Sequence, residues 1–137
     1  MNIAFFLFPK QEVICLTPQS TLRQALERME YHRYTAVPIL NQDGSYFGTV
    51  TEGDLLWFLK NNNEEIGFEN AHRHSLEEIP LRMKNKPVRI DAKMEDLISL
   101  VKAQNFVPVI DDSNNFIGIV RRSDIIEYCA GQLLKEA

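Results

Sequence analysis

A mixed fold of the α/β (α+β) class, one small unit used twice, is what this 137-residue sequence predicts. Three observations carry the prediction. Short β-branched and aromatic runs alternate with segments whose apolar residues recur at helical spacing. Asp43-Gly44, set between two apolar runs, is a strong hairpin signal. The stretch Pro38 to Leu56 also returns without a gap as Pro108 to Ile126, an offset of 70 residues (108 − 38). Pro38/Pro108, Gly48/Gly118, Val50/Val120 and Asp54/Asp124 are identical, and most other pairs keep their polar or apolar character. A repeat of this length marks a tandem duplication and decides the fold before any single element does.

Taken in order, Ile3 to Phe8 reads as a short strand or apolar arm that Pro9 stops. Val13 to Thr17 reads as a short buried strand. Ser20 or Thr21 can cap a helix whose stripe is Leu22, Ala25, Leu26 and Met29. Val37, Ile39 and Leu40 form a strand, Asp43-Gly44 the turn, and Tyr46 to Val50 the returning strand. Thr51-Glu52-Gly53-Asp54 then opens an apolar helix, so the first copy is β-α-β-β-α. Residues 61–82 form a polar connector in which Gly67 breaks any helix and Ser75-Leu-Glu-Glu fits a capping box. The second copy offers a strand at Val88-Arg-Ile and a helix stripe of Met94, Leu97, Ile98 and Val101. It continues with a strand from Phe106, a turn at Asp112 to Asn115, a strand Phe116 to Val120 and a helix Asp124 to Leu134. The chain thus divides into residues 1–60, 61–82 and 83–137.

Composition bounds the function. Halves of roughly 65 residues would each bury only about 60% of their unfolded surface, so a shared core is expected. With 45% hydrophobic and 25% charged residues the chain reads as globular rather than disordered. A formal net charge of −4, with no basic cluster beyond Arg121-Arg122, weighs against nucleic acid as a partner. Cys15 and Cys129 lie in apolar segments without metal spacing and read as reduced core thiols of a cytosolic protein. The start, Met1 to Pro9, lacks the basic region and cleavage site of a signal peptide, and no apolar run approaches the ~18 residues of a membrane span. A cytoplasmic location is expected.

No catalytic constellation stands out: there is no Gly-x-Ser-x-Gly elbow, no Gly-rich loop ending in Lys, and no Cys–His spacing that marks a nucleophile. An enzyme is not expected, nor is a cofactor. His72 and His74, one residue apart in the polar connector, read as solvated rather than as metal ligands.

The doubled proline–apolar–turn–Gly–apolar–Val–x–x–x–Asp signature resembles a pair of cystathionine-β-synthase-type (CBS) domains, a Bateman module, over roughly Val13 to Tyr128. The resemblance implies two β-α-β-β-α repeats packed sheet to sheet with pseudo-two-fold symmetry. It also implies an adenosine ligand (AMP, ADP or ATP) in clefts between the repeats, pairing into a homodimer, and a free-standing module that regulates an unknown protein. The family's ribose motif is met by Gly48-Thr-Val-Thr51-Glu-Gly-Asp54. Asp54 would accept from the ribose hydroxyls, Thr51 would contact ribose or phosphate, and Gly53 would let the ligand approach the backbone. The second copy keeps Gly118 and Asp124 but has Arg121 where the family has Thr or Ser. Its cleft is therefore either phosphate-biased or filled by the arginine. By the same resemblance Asp54 works with Asn105 and Phe106, and Asp124 with Thr17, Tyr34, Thr35 and Ala36. Lys10, Arg23 and Arg89 are candidate phosphate partners.

Alternatives stand beside these readings. Thr51-x-x-Asp54 also fits a capping box. Asp124 recurs where Arg121 cannot be the capping acceptor, so capping alone does not explain the pair. Leu55, Leu56, Trp57, Phe58 and Leu59 leave their helix without a polar face. Together with Ile125, Ile126, Tyr128, Cys129, Leu133 and Leu134 they are expected to form either core or a homodimer contact. A ligand-independent scaffold and an S-adenosylmethionine-binding module are the competing functions.

Overall fold

The computed structural model describes residues 2–83 and 85–136. In chain order its strands and α-helices are β1 (Phe8–Pro9), α1 (Leu22–His32), β2 (Ala36–Leu40), β3 (Tyr46–Thr51) and α2 (Glu52–Asn61). The second half supplies β4 (Val88–Arg89), α3 (Met94–Leu100), β5 (Phe106–Ile110), β6 (Phe116–Arg121) and α4 (Arg122–Glu136). The chain forms two units, one of Ile14–Lys84 and one of Met1–Val13 with Asn85–Ala137. The sequence places residues 1–60 together; by their contacts the first 13 residues group with the second copy, and residues 61–82 group with the first.

In the unit Ile14–Lys84, α1 begins in a two-way cap. Thr21 Oγ1 accepts from the Gln24 N–H at 3.1 Å, and Gln24 Oε1 accepts from the Thr21 N–H at 2.9 Å. The helix ends at Arg33, which takes the left-handed conformation (φ 61°), a common C-terminal stop. Leu22, Ala25 and Met29 face inward, as their spacing predicts. Thr21→Ala is expected to cost about 1 kcal/mol, seen as a lower urea midpoint at unchanged slope.

Strands β2 and β3 form an antiparallel hairpin, Val37 opposite Val50 and Ile39 opposite Gly48. Gly44 has φ 91°, and the Asp43 carboxylate accepts from Ser45 Oγ at 2.6 Å and from its N–H at 3.0 Å. Those bonds hold the Asp43 carboxyl below its ordinary pKa. The expected strand at Val13 to Thr17 shrinks to one residue: Leu16 bridges Ile39 in parallel, donating to Pro38 O at 3.0 Å and accepting from the Leu40 N–H at 2.8 Å. The connector supplies short 3₁₀ turns at Phe68–Arg73 and Leu76–Glu78. Ile66, Ala71, Leu76 and Ile79 join Leu16, Leu22, Val37, Ile39, Val50 and Leu55 in one core.

The other unit repeats the pattern and adds to it. Its sheet runs β1-β6-β5-β4, with β4 parallel to β5 and the rest antiparallel. Asn114 (φ 66°) stands 70 residues beyond Gly44 and makes the same left-handed turn, a conformation Asn tolerates. Of the strand or apolar arm expected at Ile3 to Phe8, the structure forms an arm: Ile3–Phe6 is a 3₁₀ turn and only Phe8–Pro9 is a strand. Pro9 sits in an edge strand, a position proline tolerates. Ile3 is fully buried with Met94, Leu97, Val107, Val109, Val120 and Ile125.

The repeated glycines share a cause. A Cβ on Gly48 would stand 2.9 Å from Leu81 Cδ1 of the connector; one on Gly118 would stand 2.3 Å from the Phe8 carbonyl oxygen. In each unit a second segment crosses the returning strand at that position.

Candidate functional site

The two repeated aspartates open equivalent helices and do different things. At the start of α2 the capping box forms: Thr51 Oγ1 accepts from the Asp54 N–H at 3.2 Å, and Asp54 Oδ2 accepts from the Thr51 N–H at 2.9 Å. Asp54 Oδ1 accepts from the backbone N–H of Arg82 at 3.0 Å, which ties the end of the connector to the helix. Asp54 is 2% exposed, so both carboxylate oxygens are committed within the unit. The helix N-terminus favours the negative charge held there.

At the start of α4 no such box forms. Arg121 Nε donates to Asp124 Oδ2 at 2.9 Å, and the two side chains remain 50% and 26% exposed. Arg121 Cζ lies 4.5 Å from the centre of the Phe8 ring. Among the described residues neither Asp124 Oδ1 nor the two terminal guanidinium nitrogens have a hydrogen-bond partner. The pair opens on a hollow of about 550 Å³ whose walls include Phe5, Phe8, Glu12, Glu127 and Tyr128. Phe6 packs edge-on against Tyr128 at 5.5 Å and backs the same wall. A carboxylate and a guanidinium side by side at an open mouth can accept hydroxyl donors and bind an anion, respectively.

The remaining candidates fall as follows. Thr17, Tyr34, Thr35, Ala36, Thr51, Gly53 and Asp54 belong to the unit Ile14–Lys84; Asn105, Phe106, Arg121 and Asp124 belong to the other. Thr17 Oγ1 accepts from the Ser20 N–H at 3.1 Å within the turn before α1. Thr35 accepts the Glu52 N–H at 3.0 Å, and Asn105 accepts the Arg122 N–H at 3.1 Å, equivalent bonds across the two hairpins. Tyr34 stacks on His32 at 5.2 Å, Gly53 lies near the Trp57 indole, and Phe106 is buried. Arg23 pairs with Glu27 at 3.0 Å and Arg89 approaches Asp91 at 3.9 Å, while Lys10 is exposed in a 3₁₀ turn.

His72 is exposed, and His74 Nδ1 lies 3.0 Å from Glu78, whose carboxyl that contact holds below its ordinary pKa. Among the described residues no three His, Cys, Asp or Glu side chains gather as a metal site. No helix of those residues is long and apolar enough to cross a membrane. Tyr46, pushed up to about 12 by burial, bonds Thr49 at 2.6 Å inside its own strand.

Sequence reasoning missed Phe8, Glu12 and Glu127. Glu127 and Tyr128 stand three and four residues after Asp124, a helical spacing that could have found them. Nothing in the sequence links Phe8 to Arg121.

The CBS domain model matches residues 7–61 and 76–131. A CBS domain-containing protein of Dictyostelium discoideum is 30% identical, over 79% of this chain and 78% of its own. The CbpB protein of Listeria monocytogenes, solved in complex with c-di-AMP, matches with a TM-score of 0.81 at 18% identity, over 97% of this chain and 98% of that one. CBSX2, solved in complex with AMP, matches with a TM-score of 0.73 at 21% identity, over 98% of each chain. With the family model matched once on each copy of an α+β repeat, the chain belongs to the CBS domain family, as a tandem pair.

Proposed function

We propose that the chain is a regulatory module that binds an adenosine nucleotide at Arg121 and Asp124 and signals occupancy to a partner protein. The observation that carries this is the half-open Asp124 carboxylate beside a guanidinium at the mouth of a hollow. Asp124 accepts from the ribose hydroxyls, and Arg121 receives phosphate. The likeness in fold to proteins solved with c-di-AMP and AMP supports adenine nucleotides as the ligand class. The burial and bonding of Asp54 favour a structural role for the first motif, the reverse of the order in which the sequence ranks the two. Output follows if the bound chain favours one of two arrangements, since a ligand shifts an equilibrium by its difference in affinity for the two states.

A thermal-shift panel of AMP, ADP, ATP, c-di-AMP and S-adenosylmethionine tests the reading. A ligand at 100 times its dissociation constant should add about 2.7 kcal/mol of stability. Asp124→Ala is expected to weaken binding about tenfold or more, because hydrogen bonds to a charged group contribute about 1.5–3 kcal/mol each. A 2′-deoxy analogue should lose part of the same increment. If no adenosine compound raises the melting point, the scaffold reading replaces this one.

On the same reading the chain pairs as a homodimer. Leu56 and Trp57 on α2 and Ile126, Leu133 and Leu134 on α4 are exposed apolar side chains. An open groove of about 890 Å³ beside α2 is lined by Leu26, Met29, Leu55, Leu56, Leu59 and Phe68 among others. Exposed apolar surface of this kind marks interaction sites. Leu56→Glu is expected to shift sedimentation from dimer to monomer without loss of helix; a dimer unchanged by it would remove α2 from the interface.

A further inference from the structure

Resting on the nucleotide reading above, we infer that Arg121 makes this site selective for a single phosphate group, against both the bare nucleoside and the polyphosphates. Arg121 stands where the first copy has Thr51, and its Nε already holds Asp124 Oδ2 at 2.9 Å. A sugar diol that uses both carboxylate oxygens must therefore compete with a guanidinium for Oδ2. A phosphate relieves the competition, because it gives Arg121 a second anion matched to its forked donors while Asp124 turns to the hydroxyls. A nucleoside brings no such anion. The Phe8 ring, 4.5 Å from Cζ, makes a cation–π contact with the guanidinium, whose terminal nitrogens have no hydrogen-bond partner among the described residues.

The upper limit on phosphate comes from the same walls. Among the described residues the hollow is lined by one cation, Arg121, and three carboxylates, Asp124, Glu12 and Glu127. One phosphate is matched by one guanidinium. Each further phosphate carries negative charge towards Glu12 and Glu127, with no second cation among the described residues lining the hollow to receive it. The expected order of affinity is AMP, then ADP, then ATP, with adenosine weak.

Calorimetry on the full chain with adenosine, AMP, ADP and ATP tests this, using wild type, Arg121→Thr and the double variant Glu12→Gln/Glu127→Gln. Wild type should bind AMP about tenfold or more tighter than adenosine, the increment of a charge-assisted pair. Arg121→Thr should bring AMP and adenosine close together, weakening the first and strengthening the second. The double variant should raise ATP affinity towards that of AMP. Arg121 is half-exposed, and unchanged circular dichroism shows that the variant folds. ATP binding as tightly as AMP to wild type, or an AMP-to-adenosine ratio untouched by Arg121→Thr, overturns the inference and leaves nucleotide binding standing. No binding of any of the four to wild type or Arg121→Thr overturns both.

Discussion

Asp54→Ala is expected to destabilise the protein by about 2–4 kcal/mol, because it strips the acceptor from two buried backbone donors at once. The N–H groups of Thr51 and Arg82 both point at this carboxylate, and the residue is 2% exposed. A hollow of about 220 Å³ beside it, lined by Trp57, Phe58 and Arg82 among others, admits partial rehydration and sets the lower end of that range. Asp54→Asn keeps one acceptor oxygen and should lose about half as much. Urea unfolding followed by fluorescence measures both. A variant that is nearly as stable as wild type yet fails to bind nucleotide would return the sugar grip to the first copy. The contrast with Asp124→Ala, expected to spare stability and cost affinity, separates the two aspartates by readout.

Gly118→Ala should cost on the order of 3 kcal/mol, or else release the N-terminal arm. The residue has φ 155°, and its new Cβ would meet the Phe8 carbonyl oxygen at 2.3 Å and Leu7 Cδ1 at 2.9 Å. A backbone oxygen cannot swing aside as a side chain does, so the pairing of Phe8 with Ile119 and Pro9 with Gly118 must part. Gly48→Ala is the control: its Cβ meets only the end of the Leu81 side chain at 2.9 Å, and a small rotation relieves it at a cost below about 1 kcal/mol. Hydrogen exchange at residues 7–12 reads the difference. Unchanged protection there, with unchanged stability, would show that β1 is not held through Gly118. Release of the arm also lifts Phe8 from Arg121, so nucleotide affinity should change with it.

Much of this was legible because it is short-range. The turn at Asp43-Gly44, the cap at Thr21, the two hairpins and the apolar stripe of α1 each depend on residues within a few positions of one another. The 70-residue offset exposed the duplication directly, and Asn114 makes the left-handed turn that Gly44 makes. The link from Arg121 to Asp124 spans only three residues, yet the sequence offers Arg121 only as a phosphate ligand or as a side chain that fills the cleft. The expected strand at Val13 to Thr17 failed as a strand because apolar content alone does not say how many residues find a ladder partner; only Leu16 does.

The amino-acid sequence by itself determined the repeated α+β unit, its turns, its helix starts and the family, since each is set by local backbone preference and by spacing that the duplication shows twice. Only the tertiary structure decided what the two identical aspartates bond to. Their partners lie elsewhere in the chain: the Arg82 backbone closes on Asp54, and the arm brings Phe8 to the guanidinium that holds Asp124. Whether a carboxylate is buried against backbone or left facing solvent depends on which distant segment crosses it, and no spacing within the motif records that crossing.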